Sequence, residues 1–308
     1  MDCLARCGHE LYRRHLRMTL LNSLVKGGLT TFSTKNAAIV QGDCLEVLPE
    51  IQSDTVDLIF AGSPYNIGKK FGNFIDSWPS IQEYAQWCSV WMDECIRILS
   101  PTGSMYIMSS TQAMPYIDIW LRDRINILSR IVWAYDSSGV QARKYFGSLY
   151  EPILYCVKNK KAYTFNSDDI LVEAKTGAVR NLIDYRKAVP VPYNTKKVPG
   201  NTWYVPRVRY RMPEYEEHPS QKPEALMERI ILASSNAGDL VLDPFGGTFT
   251  TCAVAQRLGR TTVGIESQTE FIKIGLRRLN IADHYEGVKL SAPDKSYQRT
   301  ARRLLWSI

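Results

Sequence analysis

Two short loops in this 308-residue chain carry the residues best suited to chemistry. The first, Gly62-Ser63-Pro64-Tyr65, follows the apolar run Val56-Asp57-Leu58-Ile59-Phe60-Ala61. Proline stiffens the backbone there, and the Tyr65 ring offers an aromatic face. The second, Asp243-Pro244-Phe245-Gly246-Gly247-Thr248, follows Leu240-Val241-Leu242. Its paired glycines allow a backbone to approach a ligand closely, unless they serve only a strand-to-helix turn. Glu266 ends the next apolar run, at roughly the twenty-residue spacing where nucleotide-binding folds place an acid against ribose hydroxyls. A G-x-G-x-x-G turn is missing, which disfavours a dinucleotide.

These loops need strands and helices to hold them. Residues Ala37 to Val40 form a further apolar run, which ends at Gly42-Asp43-Cys44-Leu45. Short apolar runs of this kind read as buried parallel strands followed by functional loops. Between the first two runs LEVLPEIQ predicts a short helical turn, and IQEYAQWCSVWMDECIRIL predicts a long helix stopped at Ser100-Pro101-Thr102-Gly103. Strand SMYIM, helix MPYIDIWLRDR and strands ILSRIVWAY and YEPILYCVK continue the pattern. It resumes later with helix PEALMERIILASS, strand LVLD, helix TTCAVAQRLG, strand TTVGIE and helix QTEFIKIGLRRLNIADHY. That alternation specifies an α/β fold whose sheet is covered on both faces.

Between these halves, residues 158–217 lose any clear period and become rich in proline, tyrosine and basic side chains, as an inserted recognition region would be. The expected organisation is an N-terminal extension (1–36), a catalytic half (37–157), the insertion (158–217), a cofactor half (218–285) and a basic tail (286–308). Repeats, heptads and low-complexity tracts are absent.

Composition narrows the class. With 45% hydrophobic and 22% charged residues the chain sits within ordinary globular limits. Seven scattered cysteines are an odd number, as expected of reduced thiols in a cytoplasmic protein rather than of a disulfide framework. Cys3, Cys7 and His9 lack the second paired half that a structural zinc site needs, so no metal is expected. The apolar part of MTLLNSLVKGGL is too short and interrupted for a signal peptide, and no run approaches membrane-span length.

The net charge of +7 fits a polyanionic partner without requiring one. Between residues 140 and 211, however, fourteen Lys and Arg face five Asp and Glu, and fourteen minus five leaves +9. Tyr163, Phe165, Tyr185, Tyr193, Trp203, Tyr204 and Tyr210 are interleaved with that charge, a combination suited to phosphate contact and base stacking. The candidate nucleic-acid contacts are Asn66, Lys69, Lys70, Arg143, Lys144, Arg186, Lys187, Lys196, Lys197, Arg207 and Arg209.

At this point the motifs resemble the β-class amino-methyltransferases of DNA, the group with a D/N/S-P-P-Y catalytic loop. LIFAGSPYNIGKKF resembles the catalytic loop, VLDPFGGTFTT the cofactor loop, VQGDCLEVL the adenine-side cofactor motif and HPSQKPEALMERII the segment before the cofactor strand. The order, with the catalytic motif first and the main cofactor motif last, matches the circular permutation of that class. YDSSGVQARKYFGSLYEPIL, LVEAKTG, NLIDYRK, KVPGN and PRVRY are similar to the YhdJ-type adenine methyltransferases of bacteria, and the resemblance covers roughly residues 37 to 285.

The resemblance implies a Rossmann-like, mainly parallel α/β sheet, S-adenosyl-L-methionine as cofactor and double-stranded DNA as partner. It also implies methyl transfer to adenine N6 with base flipping, and an ATGCAT target. In the cofactor site it assigns Asp43 to the cofactor's adenine amine, with Cys44 and Leu45 beside it, and Glu266 to its ribose. Asp243, Pro244, Phe245, Gly246, Gly247 and Thr248 would wall the methionine portion, and Lys222 would face its carboxylate. Asp43 has helix N-capping as its plain alternative. In the catalytic loop the first side chain and the next carbonyl would hold the amine, whose lone pair is delocalised into the base ring, while Tyr65 stacks on the extruded base.

Two departures stand out. Gly62 occupies the position of the usual Asp, removing a carboxylate that should accept an amine proton, and Phe249 stands where many relatives carry glycine. The first predicts impaired turnover and keeps two alternatives open: a cytosine-N4 enzyme with a serine-type loop, or a silent DNA-binding relative. A homodimer on a palindromic site is a further open expectation.

Overall fold

The computed structural model describes residues 29–136, 143–175 and 182–293. The expected Cys3, Cys7 and His9 cluster and most of the basic tail lie outside them. In chain order the strands and helices are β1 (Thr30–Ser33), β2 (Ala37–Gln41), α1 (Cys44–Val47), β3 (Val56–Gly62), β4 (Lys70–Phe71), β5 (Phe74–Ile75), α2 (Ile81–Ile98), β6 (Leu99–Met108), α3 (Met114–Leu121), β7 (Asn126–Ala134) and β8 (Tyr150–Val157). They continue with β9 (Val172–Glu173), β10 (Ile183–Asp184), β11 (Val191–Pro192), β12 (Lys196–Lys197), β13 (Thr202–Tyr204), α4 (Glu224–Ser234), β14 (Leu240–Asp243), α5 (Thr250–Arg257), β15 (Thr261–Glu266), α6 (Thr269–Arg278), β16 (His284–Tyr285) and β17 (Val288–Lys289).

The apolar runs become the centre of a nine-stranded sheet in the order β1-β2-β15-β14-β3-β6-β8-β7-β13. Strands β2, β15, β14, β3 and β6 pair in parallel, whereas β8 runs antiparallel to both β6 and β7. Parallel neighbours end together, so Gly42-Asp43, Glu266, Asp243 and Gly62 all emerge at one edge of the sheet.

Both faces are covered, which is why these strands contain so few polar residues. On one face α2 buries Tyr84, Cys88, Trp91, Met92, Cys95 and Ile98 at helical spacing, each contributing roughly 1.5–3 kcal/mol for an aliphatic-sized side chain. Ser80 caps it, its hydroxyl accepting from Glu83 N at 3.1 Å, which fixes where the helix begins. The opposite face carries Leu226, Met227, Ile230 and Ile231 of α4 against Leu58, Phe60 and Val241. Cys44, Cys88, Cys95, Cys156 and Cys252 are buried free thiols.

Several boundaries differ from the sequence reading. Thr30–Ser33, expected within an extension, pairs antiparallel with β2 at the sheet edge. Strand β6 starts at Leu99 and runs through the Pro101-Thr102-Gly103 stop signal. Within the aperiodic insertion, Thr202–Tyr204 adds a parallel edge strand on β7, and β10–β11 and β9–β12 form two small antiparallel ribbons. Two- and three-residue strands carry no readable period, so only tertiary pairing reveals them. Helix α6 ends at Arg278, before the expected Tyr285, with Asn280 at φ 52°.

Candidate active site

The loops at that sheet edge, residues 62–65 and 244–247, line a single cavity of about 440 Å³. One wall is formed by Gly62, Ser63, Pro64, Tyr65, Trp133, Tyr135, Glu151, Arg207 and Lys222. Asp43, Cys44, Pro244, Phe245, Gly247, Ile265, Glu266, Phe271 and His218 form the other wall.

Four groups fix the loop that follows β3. Buried Asp76 accepts from Tyr65 N at 3.0 Å and also from Lys69 N. Tyr84 donates its hydroxyl to the Pro64 carbonyl at 2.6 Å, and Ser110 donates to the Tyr65 carbonyl at 3.1 Å. The Asn66 side chain accepts from Trp78 N at 2.9 Å, with Asn66 itself in the left-handed region at φ 55°. The Ser63 carbonyl is left without a protein donor among the described residues. The Ser63 hydroxyl lies 3.5 Å from that of Tyr84 and is buried.

Tyr65, Glu151 and Lys222 close a triangle. The Tyr65 hydroxyl donates to Glu151 Oε2 at 2.6 Å, and Lys222 Nζ reaches the Tyr65 hydroxyl and Glu151 Oε2 at 2.8 Å each. Burial pushes the Glu151 carboxyl up, but Lys222 and the Tyr65 hydroxyl outweigh it and hold the group below the usual carboxylate range. Burial, then the Glu151 charge, pushes the Tyr65 phenol well above its ordinary value, so the ring stays neutral. The resemblance assigns Lys222 to the methionine carboxylate; in the structure its ammonium contacts Glu151, a carboxylate brought to the cavity by the start of strand β8.

On the other wall Asp43 accepts from Leu45 N at 2.9 Å and therefore caps α1 while lining the cavity. Glu266 accepts from Gly247 N and from Gln268 N, both at 2.8 Å, which ties the glycine turn to the end of β15. Burial raises its carboxyl above the usual range. Asp243 lies behind the turn, accepting from Phe245 N at 3.0 Å, and burial pushes its carboxyl up to about 7. A Cβ on Gly247 would come 3.2 Å from His218 Nε2. His218 is held between Phe71 and Phe271; burial first, then the Lys222 and Lys69 charges, lower its imidazole to about 3. Its Nδ1 accepts from Ser220 N at 3.1 Å, so Nε2 carries the proton.

Phe249 is at φ 54° with its side chain fully buried, facing Gly246, Gly264 and Gly275 behind the turn and not the cavity. Leu45, Asp243, Gly246 and Thr248 likewise stand behind the surface lined by Cys44, Pro244, Phe245 and Gly247.

The expected nucleic-acid residues divide into two groups. Lys69 and Arg207 line the cavity mouth, with Lys69 Nζ donating to the Pro219 carbonyl. Lys70, Arg143, Lys144, Lys187, Lys196 and Lys197 are exposed. Arg186 is held by Asp184 at 2.8 Å and Arg209 donates to the Asp136 carbonyl at 2.9 Å, so both serve local structure as well. Tyr145 and Phe146 are exposed beside this charge. Sequence reasoning missed Glu151, Asp76 and Trp133. Glu151 sits in a strand-like run and Asp76 between Phe74-Ile75 and Ser77-Trp78, and neither position signals a site without the fold.

A family model described as a DNA methylase of the N6/N4 type matches residues 56–277. The chain is 58% identical over 266 residues to the DNA adenine methyltransferase YhdJ of Escherichia coli K12, covering 86% of this chain and 90% of that protein. It is 34% identical over 244 residues to the type II methyltransferase M.HpaI of Haemophilus parainfluenzae, covering 79% and 74%. Among solved structures, the cytosine-N4-specific PvuII DNA methyltransferase aligns with a TM-score of 0.62 at 18% identity over 80% of this chain and 87% of that one. The M1.HpyAVI complex with S-adenosylmethionine aligns with a TM-score of 0.55 at 23% identity over 79% and 99%.

Proposed function

The chain belongs to the N6/N4 DNA methylase family, and from that premise we propose that it methylates adenine N6 in duplex DNA with S-adenosylmethionine as donor. The observation that carries this reading is the meeting of the two loops in one cavity, with the Ser63 carbonyl unpaired among the described residues. An adenine amine is a poor nucleophile while its lone pair is delocalised. A fixed carbonyl acceptor reorients that amine, and Tyr65 supplies the stacking face that holds the extruded base.

The other wall suits a nucleoside sulfonium. A side chain at Gly247 would press on His218, so the turn needs glycine, and Asp43 and Glu266 line the cavity as acceptors for the cofactor's adenine amine and ribose hydroxyls. The cofactor supplies an electrophilic methyl group when bound. Neutral, protonated Nε2 of His218 gives that wall a donor without adding a second cation. Phe245 and Phe271 exclude water from it.

Adenine is favoured over cytosine by the 58% identity to an adenine methyltransferase over most of the chain. Gly62 leaves the amine one acceptor short, so turnover is slow, and an ATGCAT palindrome bound by a homodimer in the cytoplasm is the expected setting. Tritiated methyl incorporation into duplex DNA, followed by nucleoside analysis, tests the reading. N6-methyladenine supports it, N4-methylcytosine replaces it with the alternative base, and DNA binding without any incorporation supports a silent relative.

A further inference from the structure

Lys222 is better placed to read the target base than to bind the cofactor. Its ammonium carries three donors. Two are spent, on the Tyr65 hydroxyl and on Glu151 Oε2, and the third has no protein acceptor among the described residues. The side chain lines the cavity, and its Cε lies 4.0 Å from where a Cβ on Gly62 would stand. The ammonium is 4.8 Å from the Tyr65 ring centroid and 2.8 Å from its hydroxyl. Those two distances put it beyond the hydroxyl rather than over the ring, so it does not cover the stacking face.

We propose that Lys222 donates its third N–H to the unprotonated ring nitrogen beside the exocyclic amine of the flipped base, with Glu151 as the positioning residue that aims it. This rests on the amino-methylation reading above. Adenine presents such an acceptor at N1, and cytosine at N3. Guanine N1 and thymine N3 carry hydrogens, which would face the ammonium as a second donor. The contact therefore selects bases with an amine next to a bare ring nitrogen, which is the edge a flipped-base pocket reads.

Two features of the site support this use of the ammonium. Glu151 neutralises it, which limits electron withdrawal from the amine that must react. Both side chains are only 14% exposed, so the remaining donor is not held by bulk water once a base enters. Three distant segments, the loop after β3, the start of β8 and the approach to α4, converge to build the triangle.

The test is substrate surgery on the whole chain. The methylated adenine is first mapped in DNA treated with the protein under single-turnover conditions with labelled cofactor. Duplexes carrying adenine or 1-deazaadenine at that position are then compared; the analogue keeps the amine and lacks the acceptor. The unaltered protein should favour adenine by roughly ten- to hundredfold, the range for one charge-assisted hydrogen bond. Lys222→Met should act on both duplexes at similar low rates, and Glu151→Gln should narrow the preference. An unaltered protein that treats the two alike, or a Lys222→Met that keeps the full preference, overturns the inference while leaving amino-methylation intact. No methylated amine on any base overturns both; N4-methylcytosine in place of N6-methyladenine moves the same comparison to cytosine and 3-deazacytosine.

Discussion

The Phe249 ring occupies the space that a side chain on Gly275 would need: a Cβ there would stand 2.6 Å from Phe249 Cε2 and closer still to Cδ2. Gly264 across the same ring leaves only 2.6 Å to Cε1. The aromatic residue in the glycine loop is thus accommodated behind the loop by glycines on β15 and α6, and its ring does not line the cavity. Gly275→Ala should destabilise the protein by about 1–3 kcal/mol through overpacking, although alanine in an open helix position would stabilise by about 1 kcal/mol. Urea denaturation reads the sign, and Phe249→Leu in the same chain should restore part of the loss.

Gly62→Asp tests the missing acceptor. A Cβ at that position meets a Phe60 ring carbon at 3.3 Å, so the ring must give by a few tenths of an ångström. Restoring a positioned carboxylate should raise single-turnover methyl transfer by about 10² to 10⁴. A rate unchanged within a factor of two would show that the Ser63 carbonyl and Tyr65 suffice.

Asp76 is buried and accepts from two loop amides, Tyr65 N and Lys69 N. Asp76→Ala strands both donors at a cost of roughly 1–3 kcal/mol each where they stay dry. The loop should therefore open to solvent. Faster amide exchange across residues 65–76 and a large fall in methyl transfer are expected, with cofactor binding much less affected.

His218 gives a pH signature. Its imidazole falls from an ordinary 6.5 to about 3 on folding because it is buried neutral near two lysines. The folded state then binds fewer protons than the unfolded chain, so this stability is present above pH 6.5 and is lost as pH falls toward 3. Denaturation at about pH 7.5 and about pH 5, on either side of the unfolded value, should show a smaller loss of stability in His218→Gln than in the unaltered protein. An equal loss would mean that the ring is solvated.

Exposed Lys196 and Lys197 and the Arg143–Lys144 pair provide the electrostatic test. Replacing either pair with alanine should weaken duplex binding similarly for all sequences. The slope of log affinity against log salt should become shallower by about one for every phosphate that is no longer neutralised. Fluorescence anisotropy across a salt series measures this.

What the chain alone determined is the fold class, the order of the motifs and the identity of the two loops. Short apolar runs such as Leu58–Ala61 and Leu240–Leu242, bounded by turn residues, read as buried strands, and the proline and glycine chemistry at their ends is local. Tertiary structure decided which polar groups those loops face. Glu151 reaches Tyr65 across 86 positions and Lys222 across 157, and the destination of a lysine or glutamate side chain depends on strands that pair far from it in sequence. The same holds for Phe249, whose direction is set by a left-handed backbone and three glycines. Periodicity encodes which face of an element is buried. It does not encode which distant partner completes a hydrogen bond, and that is why the cavity's wiring emerges only once the sheet is assembled.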